Sequence, residues 1–189
     1  MVSIKDIKIA FDNFQPRTLS DDGSKRGAVL IPIFERKGEL YILFTKRTEE
    51  LPTHKGQISF PGGKKEEKDE SLLGCALRET YEEIGLPADK FQILGELNQT
   101  KTTSSNFLLS AFVGKLSYPF ELNVNKQEVQ EILEVPLNEF LQEESWKKSI
   151  LTLDGEKIEI WFFHYRNHII WGATALLLRE LITIINKIS

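Results

Sequence analysis

Three glutamates with helical spacing carry most of the chemistry that this sequence can support. Glu79, Glu82 and Glu83 lie in the stretch from Arg78 to Leu86. Because residues three and four apart share one face of an α-helix, we expect the three carboxylates to point the same way. Carboxylates this close repel one another, and a hard divalent cation with oxygen ligands, such as Mg2+, relieves that repulsion. Considered alone, the same residues also fit a solvated acidic helix face.

Glycines on both sides of the acidic helix favour the metal-binding interpretation. Gly62 and Gly63 precede the helix and suit a tight loop in which the backbone approaches a ligand. Gly85 follows the last glutamate and is a common helix terminator. A separate, mostly apolar face that can dock against a sheet is formed by Leu73, Leu77, Thr80 and Ile84. The sequence therefore predicts an acidic face presented outward from a fixed platform.

The elements that must position this helix follow from the hydrophobic pattern. Helices are predicted over residues 3–14, 71–84 and 170–187. Strands are predicted over residues 28–34, 40–45, 91–103, 107–117 and 158–165, the first two joined as a hairpin by a turn at 36–39. The loops are predicted over residues 15–26 and 51–63, and residues 128–140 are predicted to mix loop with a short helix. Strands interleaved with helices predict an α/β or α+β sandwich.

The composition is that of an ordinary soluble protein with a sizeable core. The chain has 189 residues, of which 41% are hydrophobic and 28% charged. A net charge of −4 argues against a nucleic-acid partner held by phosphate contacts. Cys75 is the single cysteine and is expected to be a small buried hydrophobe, while Phe60 and Trp171 are expected to pack in the core. With no secretory pattern and no apolar run of membrane-spanning length, we expect a cytoplasmic protein with no membrane partner.

The acidic segment resembles the signature of the Nudix hydrolase superfamily, G-x5-E-x7-R-E-U-x-E-E-x-G-U, where U is bulky and apolar. The matching positions are Arg78, Glu79, Glu82, Glu83, Gly85 and Leu86. Two positions depart from the signature: six residues rather than five separate Gly63 from Glu70, and Thr80 replaces a larger apolar residue. Both departures resemble the coenzyme A pyrophosphatase branch of the superfamily.

A second motif, upstream of the helix, also resembles this branch. The branch carries roughly L-L-T-x-R-S, then an arginine, then H-x-G-x-x-x-F-P-G-G. Here residues 43–48 read L-F-T-K-R-T and residues 54–63 read H-K-G-Q-I-S-F-P-G-G. Pro52 stands where the branch usually has an arginine, which leaves the substrate preference open. With two further segments, over residues 128–137 and 164–175, the resemblance covers roughly residues 28–180.

The resemblance implies a Nudix-type α/β/α sandwich with a mixed β-sheet, over residues 26–189, preceded by an N-terminal helix and loop over residues 1–25. It implies a cofactor of Mg2+ or Mn2+, held mainly by Glu79 and Glu83, with Glu82 as a further ligand or a partner of metal-bound water. The general base is then Glu128 or Glu79, unless Glu128 is an ordinary surface residue.

Candidate substrate-binding residues lie around this predicted metal site. Arg47 can bind phosphate in a bidentate way, although a surface salt bridge is the alternative. His54 can hydrogen-bond substrate or stabilise its own loop. Arg78 can orient Glu82 or return to Glu70. The remaining candidates are Gly62 and Gly63.

The resemblance implies hydrolysis of the pyrophosphate bond of coenzyme A or its derivatives. The products would be 4′-phosphopantetheine, or its derivative, and adenosine 3′,5′-bisphosphate. The alternatives are a pyrophosphatase for ADP-ribose, NADH or another nucleoside diphosphate derivative, and a non-catalytic nucleotide-binding module. The partner in each case is a small molecule, and a homodimer is compatible with the resemblance.

Overall fold

A mixed β-sheet built around two parallel strands organises the chain. The computed structural model describes residues 2–20, 22–50, 55–102, 106–153 and 156–187. The helices are α1 (Ile4–Asp12), α2 (Leu72–Ile84), α3 (Leu137–Phe140) and α4 (Gly172–Asn186). The strands are β1 (Lys25–Arg36), β2 (Glu39–Arg47), β3 (Ile58–Ser59), β4 (Gly62–Lys64), β5 (Phe91–Glu96), β6 (Thr100–Lys101), β7 (Phe107–Leu116), β8 (Val129–Pro136), β9 (Trp146–Leu153), β10 (Glu156–Tyr165) and β11 (His168–Trp171). Short 3-10 turns occupy Ala88–Lys90 and Glu143–Ser145.

The main sheet has the strand order β3-β2-β1-β7-β5, with β4 beside β1, β6 beside β7 and β8 beside β2. Strands β1 and β7 run parallel, and the other pairs are antiparallel. The register places Ile33 opposite Ile42, which confirms the hairpin predicted at the start of the sheet. The mixed sheet implied by the resemblance is therefore confirmed.

Helices cover both faces of this sheet. Strand β1 directs alternate side chains to opposite faces, and each set packs against a different group of helices. Ala28 and Leu30 pack against α2, whereas Ile31 and Ile33 pack in a larger core with α1 and α4. All four side chains are fully buried. This arrangement confirms the predicted α/β/α sandwich and fixes α2 on one face of the sheet.

Helix α2, which carries the acidic residues, has a cap at each end. The hydroxyl of Ser71 accepts a 2.9 Å hydrogen bond from the N–H of Gly74, which satisfies an otherwise free amide of the first turn. Gly85 ends the helix in the left-handed conformation, at φ 75°, where a residue with a Cβ would be strained. Thr80 is buried and donates its hydroxyl to the Ala76 carbonyl at 2.7 Å. The predicted helix is confirmed, and its polar Thr80 is satisfied internally.

A second sheet, in the order β11-β10-β9, packs beside α4. Only β10 was predicted from the sequence. Phe163 of β10 and Trp146 of β9 face the core with ring centroids 5.0 Å apart, and Trp146 Nε1 donates to the Phe140 carbonyl at 3.0 Å. Trp171 lies on the outer face and is 41% exposed, so its predicted place in the core is wrong. Phe60, in contrast, is buried as predicted.

Strand pairing overrides the local pattern in three further segments. Residues 128–140 contain mainly the strand β8, paired with β2, so the prediction of loop is wrong there, although the short helix α3 is present. Residues 91–103 contain two strands, β5 and β6, which pair with different parts of β7. Helix α4 begins at Gly172 because Ile170 and Trp171 belong to β11. Among the described residues, no helix has the length and apolarity needed to cross a membrane.

Candidate active site

The guanidinium of Arg78 is the organising group at the start of the acidic face. Its Nε and Nη2 donate to the two carboxylate oxygens of Asp69 at 2.8 and 2.9 Å. Its Nη1 donates to Glu79 at 2.8 Å and to Glu82 at 2.9 Å. The hydrogen bonds from Arg78 hold the pKa of Asp69 well below its usual range. Arg78 therefore acts as a clamp that orients two of the predicted metal-binding glutamates.

Arg78 contacts Glu82 as predicted, but the acidic residue ahead of the helix that it pairs with is Asp69 and not the predicted Glu70. The Asp69 side chain is almost fully buried, and its Oδ2 also accepts the Glu66 N–H at 2.8 Å. Five residues separate Gly63 from Asp69, which is the spacing of the signature with an aspartate in place of its glutamate. The extra residue of this sequence therefore lies between Asp69 and Arg78. The acidic residue at the signature spacing was the signal that could have identified Asp69.

Gly62 and Gly63 allow the strand β4 to pair with β1 while lying close to the acidic helix. A Cβ on Gly62 would lie 2.3 Å from the Ala28 carbonyl oxygen, and the Gly62 backbone has φ 149°. A Cβ on Gly63 would lie 2.5 Å from the carboxyl carbon of Glu79. Side chains at either position would collide with backbone or with the acidic face. The close approach predicted for these glycines is thus made to β1 and to Glu79.

Glu83 is the most deeply buried carboxyl of the acidic face, with 3% of the residue exposed. Burial raises the pKa of Glu83 to about 8, opposed by the nearby charge of Arg47 and by a hydrogen bond from the Gly62 backbone. The carboxylates of Glu79 and Glu128 lie close enough to raise this pKa further. Within the described residues, Glu83 Oε2 and Arg47 Nε are buried atoms that have no hydrogen-bond partner. Because buried polar atoms usually have hydrogen-bond partners, this unpaired acceptor and donor indicate that a ligand binds here.

Glu79 accepts a hydrogen bond from Arg78, and its charge acts on the buried Glu83. Burial raises the pKa of Glu79, and the charges of Glu82 and Glu128 act in the same direction, while the Arg78 hydrogen bond opposes them. Glu82 is exposed, and its second oxygen lies 3.9 Å from Lys68 Nζ. The three glutamates of the predicted face therefore differ in environment: Glu83 is buried, Glu79 is half-buried and Glu82 borders solvent.

The turn before β8 brings Glu128 to this face. Thr48, just after β2, donates its N–H to the Glu128 carbonyl and its hydroxyl to the Gln127 carbonyl, both at 3.0 Å. Asn125 donates its side-chain amide to Glu128 Oε1 at 3.1 Å. The charge of Glu128 acts on both Glu79 and Glu83 and raises the pKa of each carboxyl, so the turn brings Glu128 within electrostatic reach of both. Asn125 was not a candidate from the sequence, since no local pattern marks it.

The predicted site residues are thus only partly assembled. Among the described residues, no three carboxylate, imidazole or thiol groups already converge as a metal site. The metal-ligand role of Glu79, Glu82 and Glu83 stays a prediction, as does the catalytic role of Glu128. The contacts of Arg78 favour orientation of glutamates over substrate binding. His54 and Pro52 lie outside the described residues.

The donor set nevertheless fits a hard divalent cation. In the described part of the chain, Glu83 presents a buried oxygen without a hydrogen-bond partner. The charges of Glu79 and Glu128 oppose its ionisation, a cost that a bound cation would offset. Gly63 lets the Glu79 carboxylate lie against the backbone of β4, in a position that any larger residue would block. Cys75 is a poor alternative ligand or nucleophile, because burial raises the pKa of its thiol to about 11. Its predicted place as a buried hydrophobe is confirmed.

Comparisons with known proteins identify the family and support the fold. Residues 24–153 match the NUDIX domain family. The chain is 38% identical over 166 residues to the uncharacterized Nudix hydrolase NudL of Photorhabdus laumondii, covering 88% of this chain and 87% of that relative. The MutT/nudix family protein from Enterococcus faecalis has a similar fold, with a TM-score of 0.58, 13% identity and coverage of 98% of this chain and 70% of that chain. The NUDIX domain of Shewanella oneidensis NrtR, in complex with ADP ribose, has a TM-score of 0.50, 19% identity and coverage of 75% and 88%.

Proposed function

Because this chain belongs to the Nudix hydrolase family, we propose that it hydrolyses the pyrophosphate bond of coenzyme A or a coenzyme A derivative. The oxygen of water bonds to one phosphorus, and the bond from that phosphorus to the bridging oxygen breaks. The bridging oxygen leaves with the second phosphate, which takes up the proton, so the products are two phosphate monoesters. The products are 4′-phosphopantetheine, or its derivative, and adenosine 3′,5′-bisphosphate. The observation that carries the hydrolytic reaction is a buried Glu83 oxygen that has no hydrogen-bond partner among the described residues and on which the charges of Glu79 and Glu128 act.

A divalent metal ion, Mg2+ or Mn2+, would be held by Glu79 and Glu83, with Glu82 at the solvent side. Bound there, the ion supplies charge neutralisation for the phosphate oxygens and lowers the pKa of a bound water. The protein contributes the fixed positions of the carboxylates. Arg78 orients Glu79 and Glu82 through its hydrogen bonds, and Asp69 holds Arg78 in place.

Two residues from outside the helix complete the proposed reaction. Glu128 accepts the proton of the attacking water, because its charge acts on Glu79 and Glu83 and the turn that carries it is hydrogen-bonded to the Glu83 carbonyl through Asn125. Arg47 binds a substrate phosphate, since its buried Nε has no partner among the described residues and its charge already acts on Glu83. Glu79 remains the alternative base.

The coenzyme A assignment rests on the motif over residues 43–63, upstream of the acidic helix. The extended spacing before the helix and Thr80 support the same branch. The second candidate substrate is ADP-ribose, NADH or another nucleoside diphosphate derivative. Pro52 favours this alternative, because it stands where the branch usually has an arginine. The Shewanella protein, whose fold is similar, binds ADP ribose.

A substrate panel tests the proposal. The purified protein would be incubated with coenzyme A, ADP-ribose or NADH, each with Mg2+ or Mn2+, and the products identified by mass spectrometry. We expect coenzyme A to give 4′-phosphopantetheine and adenosine 3′,5′-bisphosphate, and the Glu83→Gln variant to give neither. Much faster turnover of ADP-ribose or NADH than of coenzyme A would show that the substrate assignment is wrong. Water labelled with 18O would show which phosphorus is attacked.

A further inference from the structure

The turn that carries Glu128 is built on one residue, Asn125. Its backbone N–H donates to the Glu83 carbonyl at 2.9 Å, at the end of α2. Its backbone carbonyl accepts the N–H groups of Glu128 and Val129 at 3.1 and 2.8 Å. Its side-chain oxygen accepts the Gln127 N–H at 3.1 Å. The main-chain contacts therefore attach the turn directly to the residue that carries the buried carboxylate.

The remaining polar group of Asn125 is directed at the proposed base. The side-chain amide nitrogen donates to Glu128 Oε1 at 3.1 Å. Asn125 thus contacts Glu83 through its backbone and Glu128 through its side chain. These two glutamates are far apart in sequence, and their charges interact across the site.

We propose that Asn125 is a positioning residue that holds the Glu128 carboxylate in its reactive orientation. The inference rests on the proposed function, because it assumes that Glu128 accepts the proton of the attacking water. A glutamate side chain has several rotatable bonds, and a single donor on one oxygen restricts their rotation. Misplacement of a catalytic group by about 1 Å can cost on the order of 100-fold in rate. The hydrogen bond from Asn125 prevents such misplacement.

Two substitutions separate the side-chain donor from the turn. Asn125→Asp keeps the oxygen that accepts the Gln127 N–H but replaces the donor with a second negative charge. Asn125→Ser keeps a hydroxyl that can accept the Gln127 N–H, although on a shorter side chain. It adds no charge, and it lacks the amide that donates to Glu128. The matched control is Asn123→Asp, in the same loop, where Asn123 is exposed and donates its backbone N–H to the Ile84 carbonyl.

We expect both Asn125 variants to lower kcat by about 10- to 100-fold. The KM for substrate and the Mg2+ concentration at half-maximal rate should change by less than about twofold for Asn125→Ser, because neither the helix nor its glutamates are altered. Asn123→Asp should retain the original kcat. Thermal melting of each variant checks that the fold is kept. A kcat for Asn125→Ser equal to that of the unmodified chain would overturn the proposal.

A double-mutant cycle with Glu128→Gln tests whether Asn125 acts through Glu128. If it does, Asn125→Ser should lower kcat by less than about twofold once Glu128 has been replaced. If Asn125→Ser lowered kcat equally in the unmodified chain and in Glu128→Gln, its role would be merely structural and the proposal would be overturned. Full activity of Glu128→Gln would also overturn it. The assays use whichever of coenzyme A and ADP-ribose the unmodified chain hydrolyses faster. If that chain hydrolyses neither, the proposed function itself has failed, which is a different result from an active enzyme insensitive to Asn125.

Discussion

Asp69 and Arg78 form a two-point ion pair, in which Arg78 Nε and Nη2 donate to separate oxygens of the Asp69 carboxylate at 2.8 and 2.9 Å. Both side chains are largely buried. The same guanidinium donates to Glu79 and Glu82 through Nη1. The orientation of two acidic residues on α2 thus depends on an aspartate that precedes the helix.

The first prediction concerns this ion pair. Asp69→Asn should lower kcat by about 10- to 100-fold, the range found when a partner of a metal-binding group is removed. It should also reduce stability by about 1–3 kcal/mol, because the buried Arg78 loses a charged acceptor. Steady-state kinetics and urea denaturation measure the two effects. The matched control is the neighbouring Glu70→Gln, which should leave both unchanged. A loss of activity for Glu70→Gln equal to that for Asp69→Asn would contradict the pairing.

The second prediction concerns the buried Glu83. Glu83→Gln should lower kcat by about 100-fold or more, because a carboxylate at a metal site contributes several kcal/mol. The fold should be retained, since glutamine has the same shape and brings no buried charge. Kinetics at saturating Mg2+, with circular dichroism as a check of the fold, test this expectation. Glu139→Gln, at an exposed position on α3, serves as the control for loss of one carboxylate. Retained turnover in Glu83→Gln would rule out the metal-site assignment.

The third prediction concerns the pH dependence of the metal-free protein. Burial raises the pKa of Glu83 from its ordinary value of 4.5 to about 8, so the folded state binds this proton more tightly than the unfolded chain. The Glu83 contribution to stability is therefore fully present below pH 4.5, falls as the pH rises, and is lost above pH 8.

Thermal melting in EDTA across this pH range measures the effect. The difference in Tm between the unmodified chain and Glu83→Gln should shift in favour of the variant as the pH rises. Addition of Mg2+ should stabilise the unmodified chain more than the variant, because the bound ion favours ionised Glu83. A Tm difference that is constant over the range would show that Glu83 ionises normally.

The fourth prediction concerns the contact between β4 and α2. Gly63→Ala places a Cβ about 2.5 Å from the carboxyl carbon of Glu79, so the glutamate must move. We expect kcat to fall by at least about tenfold, since displacement of a metal ligand disturbs the reactive geometry. Gly74→Ala is a suitable control within α2, because the nearest atom to its Cβ would be Ser71 Oγ at 3.3 Å. Equal activity of the two variants would show that Glu79 tolerates a different position.

Local pattern in the sequence was sufficient to predict much of the fold. The apolar runs of β1 and β2, the helical spacing of α2 and its terminating Gly85 depend on neighbours within a few residues, and these predictions are confirmed. The strand β8 was missed because its pairing with β2 joins segments far apart in the chain. Strand β9 pairs with β10, the next strand in the chain, but was missed because most of its residues are exposed, so no apolar alternation marks it.

The sequence by itself determined which acidic residues could share a helix face, because helical periodicity is a local property. Only the tertiary structure decided that Glu83 is buried while Glu82 faces solvent, since the packing of α2 on β1 and β4 sets the exposure of each side. It likewise decided that Arg78 pairs with Asp69, and that the Asn125 turn brings Glu128 to the same site. Each of these contacts joins α2 to a residue outside it or joins residues of the Asn125 turn. The periodicity of the helix alone therefore cannot predict them.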